Sequence, residues 1–383
     1  MATNGYVTGK ESTGGVMGQS QGRLEGLGMT RGVDASFWKG KRVLVTGHTG
    51  FKGSWLTIWL HRLGAEVTGI SLAPPSTPNL FEAAEVAKIC RHHICDICVP
   101  GQFGPLILES QPEVVFHLAA QSLVRGGYAE PARTFETNLM GSVYLLDALR
   151  SSDSVKSVVM VTTDKVYSNL ESIWPYRETD RLGGHDPYSA SKAASELVIT
   201  SYRDAFLAAR GVAVATARAG NVIGGGDWSA DRLIPDAVRA WQVGQTLAIR
   251  SPQAVRPWQH VLEPIAAYMV LAQRLYHEPR LAGAYNFGPD SRDAASVAQV
   301  VNLAALSFGL CQEAWRLVGD PGPHETGWLA LETAKARHAL NILPRWSLPQ
   351  AIEQTMCWYR DWYQGTDARE LCEQQIRAYE AQL

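Results

Sequence analysis

The sequence predicts a doubly wound parallel α/β sheet, and three observations predict it. Apolar runs of strand length alternate with helical segments over roughly 180 residues, the pattern of a parallel sheet with helical crossovers. The first run ends in a glycine-rich turn that opens a helix. The fifth ends in the polar stretch Thr162-Thr163-Asp164-Lys165, ahead of a second helix that begins around Tyr188-Ser189-Ala190-Ser191-Lys192.

The first strand is Lys41 to Thr46, followed directly by Gly47-His48-Thr49-Gly50-Phe51-Lys52-Gly53 and an amphipathic helix from Ser54 to Leu63. Glycines between a strand and a helix let backbone N–H groups approach a pyrophosphate, and the helix N-terminus adds partial positive charge. The spacing is Gly-x-x-Gly-x-x-Gly, and Gly47, Thr49, Gly50, Phe51, Lys52 and Gly53 become candidate dinucleotide contacts. The second strand, Glu66 to Leu72, ends in Ser71-Leu72-Ala73, where a carboxylate for a ribose 2′-hydroxyl is expected. Its absence leaves NAD and NADP both open at this point.

A short third strand is read from the alternation Ile94-Cys95-Asp96-Ile97. Asp96 and Ile97 then face the adenine, with a solvated strand-end carboxylate as the alternative for Asp96. The fourth strand, Glu113 to His117, runs into Leu118-Ala119-Ala120, small residues that permit close cofactor approach. Thr134 to Arg150 reads as a helix, Val155 to Val161 as the fifth strand and Ala213 to Ala217 as the sixth. Ligands of such sheets bind beyond the carboxyl ends of the strands, which brings Gly47, His117, Thr163 and Tyr188 together.

Tyr188 and Lys192 are four residues apart and share a helix face. An ammonium beside a phenol favours phenolate and lowers the tyrosine pKa from about 10 toward neutrality. Thr163, at a strand end, can hydrogen-bond the same substrate hydroxyl. The set suits a base that takes a proton from an alcohol while hydride leaves its carbon. In isolation the Tyr-x-x-x-Lys spacing carries little weight; its position in this alternation gives it meaning.

Composition bounds the rest. The chain has 383 residues, enough for one large α/β domain or two ordinary ones. A formal net charge of −2 and the lack of any basic run argue against nucleic acid as a partner. No apolar segment approaches the roughly 18 residues of a membrane span, and no apolar h-region marks a signal peptide. Six scattered cysteines read as reduced cytoplasmic thiols. Cys90, Cys95 and Cys98, even with His92 and His93 nearby, match zinc templates poorly, so no metal is expected. Residues 1 to about 33 lack apolar periodicity and are expected to be disordered, with Met29 a candidate start.

With these motifs in place the chain resembles the extended short-chain dehydrogenase/reductase superfamily. Thr163-Asp164-Lys165 is similar to the signature of its nucleotide-sugar 4,6-dehydratases. Phe37-Trp38-Lys39-Gly40, Gly220-Asn221-Val222-Ile223-Gly224-Gly225-Gly226-Asp227-Trp228, Arg232-Leu233-Ile234-Pro235 and Arg256-Pro257-Trp258-Gln259-His260-Val261 resemble the branch acting on CDP-glucose. The likeness runs from about Phe37 to the C-terminus.

The resemblance implies a Rossmann-type domain over residues 37–219, a smaller CDP-sugar lobe over 220–383 whose segments interleave with it, and a disordered extension or tag over 1–36. It implies NAD as a resident cofactor, CDP-glucose as substrate, and a homodimer through Thr134–Arg150 and Pro187–Ala209. It also implies roles: Tyr188 and Thr163 at the C4 hydroxyl, Lys192 on the nicotinamide ribose, Asp164 as the acid for the departing C6 hydroxyl. Lys165 stands where dTDP-glucose enzymes carry a glutamate, and is the C5 base or an electrostatic stabiliser of the enolate. Gln121, Asn221, Arg232, Leu233, Arg256 and Trp258 are candidate substrate contacts, the arginines for phosphate oxygens. Trp228 is equally plausible beside the ligand or in the core.

Tyr285 to Pro289 is read as a strand of the second lobe, Lys335 and Arg337 as water-facing, and Ser347 as the start of the last helix. Two rival functions share the glycine turn: a 4-epimerase, which needs no Asp-Lys after Thr163, and a dinucleotide-sensing module, which needs no Tyr/Lys pair.

Overall fold

The computed structural model describes residues 32–290, 293–310, 313–319 and 327–382. The proposed disordered extension and Met29 lie outside the described residues. Ordered structure is present before Phe37: the Asp34 side chain caps a short helix, Ala35–Trp38, and Trp38 is buried with its indole N–H on Gln273.

One parallel sheet organises the chain. Its strands are β1 (Arg42–Thr46), β2 (Glu66–Ser71), β3 (Arg91–Ile94), β4 (Val114–His117), β5 (Ser157–Val161), β6 (Ala213–Ala219) and β7 (Gly283–Phe287). They lie in the order β7-β6-β5-β4-β1-β2-β3, so the direction of winding reverses between β1 and β4. Every residue of β4, β5 and β6 is buried, which explains why those strands read as continuous apolar runs rather than as alternations. Successive side chains still point to opposite faces. Val43, Val45, Phe116 and Val159 join one core, and Leu44, Val115, Val158 and Met160 the other.

The helices that position the site are α1 (Phe51–Arg62), α2 (Pro100–Ser110), α3 (Gly141–Leu149), α4 (Pro187–Tyr202), α5 (Leu233–Gln242) and α6 (Leu262–His277). A π-helical turn, Glu136–Met140, precedes α3 and places Asn138 so that its amide donates to Gln121 O and Ser191 Oγ, 3.0 and 2.9 Å away. Pro187 at the first position and the Asp186 carboxylate, accepting from Ser189 N at 3.0 Å, fix where α4 starts.

Three short strand pairs build the second part: Val222–Ile223 with Gln259–His260, Val255–Arg256 with Ala295–Ser296, and Leu247–Ile249 with Trp315–Leu317. Helices α7 (Val297–Phe308), α8 (Leu348–Tyr363) and α9 (Ala368–Glu380) complete it. The sequence motif Gly224-Gly225-Gly226 has a packing reason at Gly225, where a Cβ would fall 2.0 Å from the Trp358 ring.

Three expectations change. Gly283–Phe287 is the seventh strand of the main sheet, pairing with β6, rather than a strand of the second lobe. The third strand ends at Ile94, because Cys95 onward turns toward α2. The helix from Ser347 is followed by another, α9. Lys335 and Arg337 are exposed, as expected, and the Lys335 ammonium also donates to Ala284 O at 2.7 Å and lies over the Tyr285 ring. No helix among the described residues is long and apolar enough to cross a membrane, and no His/Cys/Asp/Glu group among them could hold a metal ion.

Candidate active site

The carboxyl ends of the strands open into a cavity of about 1020 Å³. On one side lies the turn after β1. Gly47 has φ +80°, and a Cβ there would sit 2.7 Å from Ala119 N, so the turns after β1 and β4 approach each other backbone to backbone. Gly50 caps α1 without a side-chain hydrogen bond, leaving the first N–H groups of the helix directed at the cavity. Thr49 Oγ1 donates to Leu72 O and meets Ser71 Oγ, both at 2.8 Å. A glycine-rich cradle of N–H groups in a cavity of this size fits a dinucleotide pyrophosphate. Gly47, Thr49, Gly50, Phe51, Lys52, Gly53, Asp96, Ile97, Leu118, Ala119 and Ala120 all line it.

Beside this turn, β5 delivers Thr163, Asp164 and Lys165, and α4 delivers Tyr188 and Lys192; all five line the same cavity. Thr163 caps the 3-10 turn Asp164–Val166, and its hydroxyl donates to Asp164 Oδ1 at 3.0 Å while also meeting the Tyr188 phenol. Asp164 is buried, and its Oδ2 has no hydrogen-bond partner among the described residues. An orphaned carboxylate oxygen is costly to bury, and it belongs to a residue that lines the cavity. Lys165 is half-buried and forms no ion pair among the described residues.

The expected depression of the Tyr188 pKa is contradicted. Burial pushes the phenol up to about 12, offset only in part by its hydrogen bond with Thr163. Lys192 does not reach it: its Nζ donates to Val161 O at 3.2 Å. Burial in turn lowers Lys192 to about 8, against the opposing pull of Glu196. Lys52 is likewise held down to about 8, first by burial and next by Arg232, with Asp164 acting the other way. Buried Lys192 and half-buried Lys52 thus face the cavity without a carboxylate in contact, an arrangement that favours an anionic ligand.

Toward the second part, Asn221, Arg232, Leu233, Arg256, Trp228 and Trp258 line the cavity. Asn221 Oδ1 is buried with no hydrogen-bond partner among the described residues. Arg232 pairs with Asp227 at 3.0 Å. Arg256 is buried and its Nη1 donates to Val255 O. Trp258 is anchored by its indole N–H on Ala295 O. Trp228 packs in a cluster with Trp358, Tyr359 and Trp362 and is therefore wall and core at once.

Three expected positions come out differently. Gln121 is not part of the cavity wall; its amide donates to Thr134 Oγ1 at 3.0 Å and its backbone is tied to Asn138. His117 sits at the end of β4 but underneath the cavity, hydrogen-bonded to Thr46 Oγ1 at 2.7 Å, and burial lowers its pKa to about 3. Asp96 lines the wall with its carboxylate already paired to Arg133 and capping Cys98 N. Asp227 was missed by the sequence reading, although it follows the third glycine of Gly224-Gly225-Gly226; the glycines signalled a ligand turn, and the acid after them was its reachable signal.

Comparison with known proteins agrees with this geometry. The model of the NAD dependent epimerase/dehydratase family matches residues 43–288. The chain is 44% identical over 353 residues to CDP-glucose 4,6-dehydratase of Salmonella typhimurium, covering 91% of this chain and 98% of that one. It is 25% identical to dTDP-glucose 4,6-dehydratase 1 of Escherichia coli, over 83% and 92% of the two chains. The crystal structure of a Streptomyces venezuelae dTDP-glucose 4,6-dehydratase with NAD bound superposes with a TM-score of 0.71 at 26% identity, over 83% of this chain and 97% of that chain. The UDP-glucose 4-epimerase of Thermotoga maritima, at 22% identity and a TM-score of 0.73 over 84% and 99%, shares the fold. Sheet order, glycine turn and the long match to a full-length relative together establish that the chain belongs to the NAD dependent epimerase/dehydratase family, within the extended short-chain dehydrogenases/reductases.

Proposed function

We propose that the chain is a hydro-lyase that converts CDP-glucose to CDP-4-keto-6-deoxyglucose and water with NAD as its resident cofactor. The observation that carries this reading over a 4-epimerase is Asp164, a buried cavity-lining carboxylate with one oxygen unpartnered among the described residues, beside Thr163 and Lys165. An epimerase moves hydride and one hydroxyl proton only. A dehydratase must also expel the C6 hydroxyl and remove the C5 proton, and here an acid and a lysine stand next to the alcohol base. The similarity to the Salmonella typhimurium enzyme supports CDP-glucose as the substrate. Family membership supports NAD despite the missing acid at Ser71.

NAD, held by the glycine turn from Gly47 to Gly53 and by Lys192, would supply the hydride acceptor for C4 and the hydride donor for C6. The chain's own residues manage the protons. Tyr188 takes the C4 hydroxyl proton, with Thr163 holding the oxygen. Burial holds the phenol up in the ligand-free chain, so this role requires positive charge near Tyr188 in the loaded site, and Lys192, one turn along α4, is the group placed to supply it. Oxidation at C4 acidifies C5, from which Lys165 removes the proton. Asp164 protonates the C6 hydroxyl as it departs. Arg232 and Arg256, with Lys52, suit the diphosphate. The work belongs to cytoplasmic deoxysugar supply, in keeping with reduced cysteines.

We also propose a homodimer through Thr134–Arg150 and Pro187–Ala209. Leu197 on α4 and Phe206 just beyond it stand exposed, at 64% and 39%, as an apolar strip needs to for such a pairing.

In deuterium oxide, CDP-glucose is expected to yield a 4-keto-6-deoxy sugar with one deuteron at C5, read by NMR and mass spectrometry. Epimerised sugar without water loss contradicts the proposal, as does an unchanged substrate. Lys165→Ala is expected to accumulate reduced nicotinamide absorbance while product formation falls by about 10²–10⁴-fold; product at the parent rate removes Lys165 from its role. Light scattering should give twice the chain mass, and a stable monomer at micromolar concentration overturns the dimer.

A further inference from the structure

Glu196 lies on α4 one turn beyond Lys192 and two beyond Tyr188, so the three share a helix face. It is buried and forms no part of the cavity wall. Its carboxylate accepts from Thr162 Oγ1 at 2.6 Å, Thr216 Oγ1 at 2.8 Å, and Arg218 Nε and Nη2, each at 2.9 Å. Arg218 Nη1 donates in turn to the Tyr167 hydroxyl at 2.9 Å and to Glu178 O at 3.1 Å. Thr162 is the residue before Thr163, so this network grips the strand end and the helix that together carry the reacting groups.

The titratable groups around Lys192 are Tyr188 and Glu196 on its own helix, His117 from β4 and Lys52 from α1. Arg218 and Tyr167 stand behind Glu196, and Tyr268 on α6 faces Tyr188 and Asp164. Within this set Glu196 alone favours the lysine ammonium, against burial. A fully satisfied carboxylate is a rigid source of field, and four donors leave it no freedom to turn away.

We propose that Glu196 is a positioning residue for the reaction: clamped by Arg218, it fixes a carboxylate one helical turn from Lys192 and holds that face of α4 at the strand end where Tyr188 acts. The inference rests on the roles given to Tyr188 and Lys192 under the proposed function. It distinguishes Glu196 from a residue that merely holds α4 to the sheet.

The test compares the full-length parent with Glu196→Asp, Glu196→Gln and the double variant Glu196→Gln/Arg218→Gln. Competitive acetic anhydride labelling, read by peptide mass spectrometry, follows the titration of Lys192 without needing turnover. The pH profile of kcat/KM with CDP-glucose and the thermal midpoint accompany it. Glu196→Asp, which keeps the charge, is expected to lower the midpoint and leave both titrations in place. The two Gln variants are expected to move the Lys192 titration and the alkaline limb of the profile down by about one pH unit. The double variant, which buries no unpaired charge, carries the comparison where the single one fails to fold. Coincident Lys192 titrations in the parent and double variant overturn the proposal, as does an Asp variant displaced as far as the Gln variants. A parent that makes no 4-keto-6-deoxy product contradicts the functional reading instead, and the labelling still reports on Glu196.

Discussion

The ion pair between Glu196 and Arg218 is the constraint on which the rest of the site depends. A buried pair costs desolvation and survives where every remaining lone pair and proton is met. Here Thr162 and Thr216 complete the carboxylate, and Tyr167 and Glu178 O complete the guanidinium. Removing one partner of such a pair costs about 3–5 kcal/mol, because the other is left charged and buried. The pair therefore specifies one docking of α4 on the ends of β5 and β6. Given that docking, helix geometry alone puts Lys192 and Tyr188 over Val161 and Thr163. Tyr167 extends the network to Asn286 on β7, so the seventh strand is tied to the same anchor.

Around this anchor the cavity brings together groups whose environments oppose their charged states. Burial raises the Tyr188 phenol and lowers the Lys192 and Lys52 ammonium groups, and an anionic nucleotide sugar would offset that cost at the two lysines. The orphaned oxygens of Asp164 and Asn221 add to that stored cost. A ligand that supplies diphosphate charge and hydroxyl partners relieves these penalties together, which is how binding energy becomes available to the reacting centre.

Much of the sheet was legible because its strands are buried on both faces and so appear as unbroken apolar runs, as in Val158-Val159-Met160-Val161. The glycine turn and the Tyr188/Lys192 spacing were legible because both are local: one needs backbone approach, the other a single helix face. What escaped was non-local. Gly283–Phe287 looks like any short strand until its partner β6, some seventy residues earlier, is known. Gln121 and His117 carry the polar chemistry of site residues, yet their hydrogen bonds to Thr134 and Thr46 consume it. The phenol of Tyr188 was assigned the wrong direction of shift because spacing reports neighbours along the helix. It reports neither desolvation nor the turn of Lys192 toward Val161 O. Glu196 and Arg218 were invisible for the same reason: their partnership spans α4 and β6.

The central claim is that one enclosed site oxidises the sugar, eliminates water and restores the hydride without release. Turnover of CDP-glucose carrying deuterium at C4, followed by mass spectrometry and NMR of the product, tests it most directly. The account predicts that the deuterium is found at C6 of the same molecule, with none appearing in unlabelled substrate turned over alongside it. Deuterium lost to solvent, or distributed between labelled and unlabelled product, contradicts it.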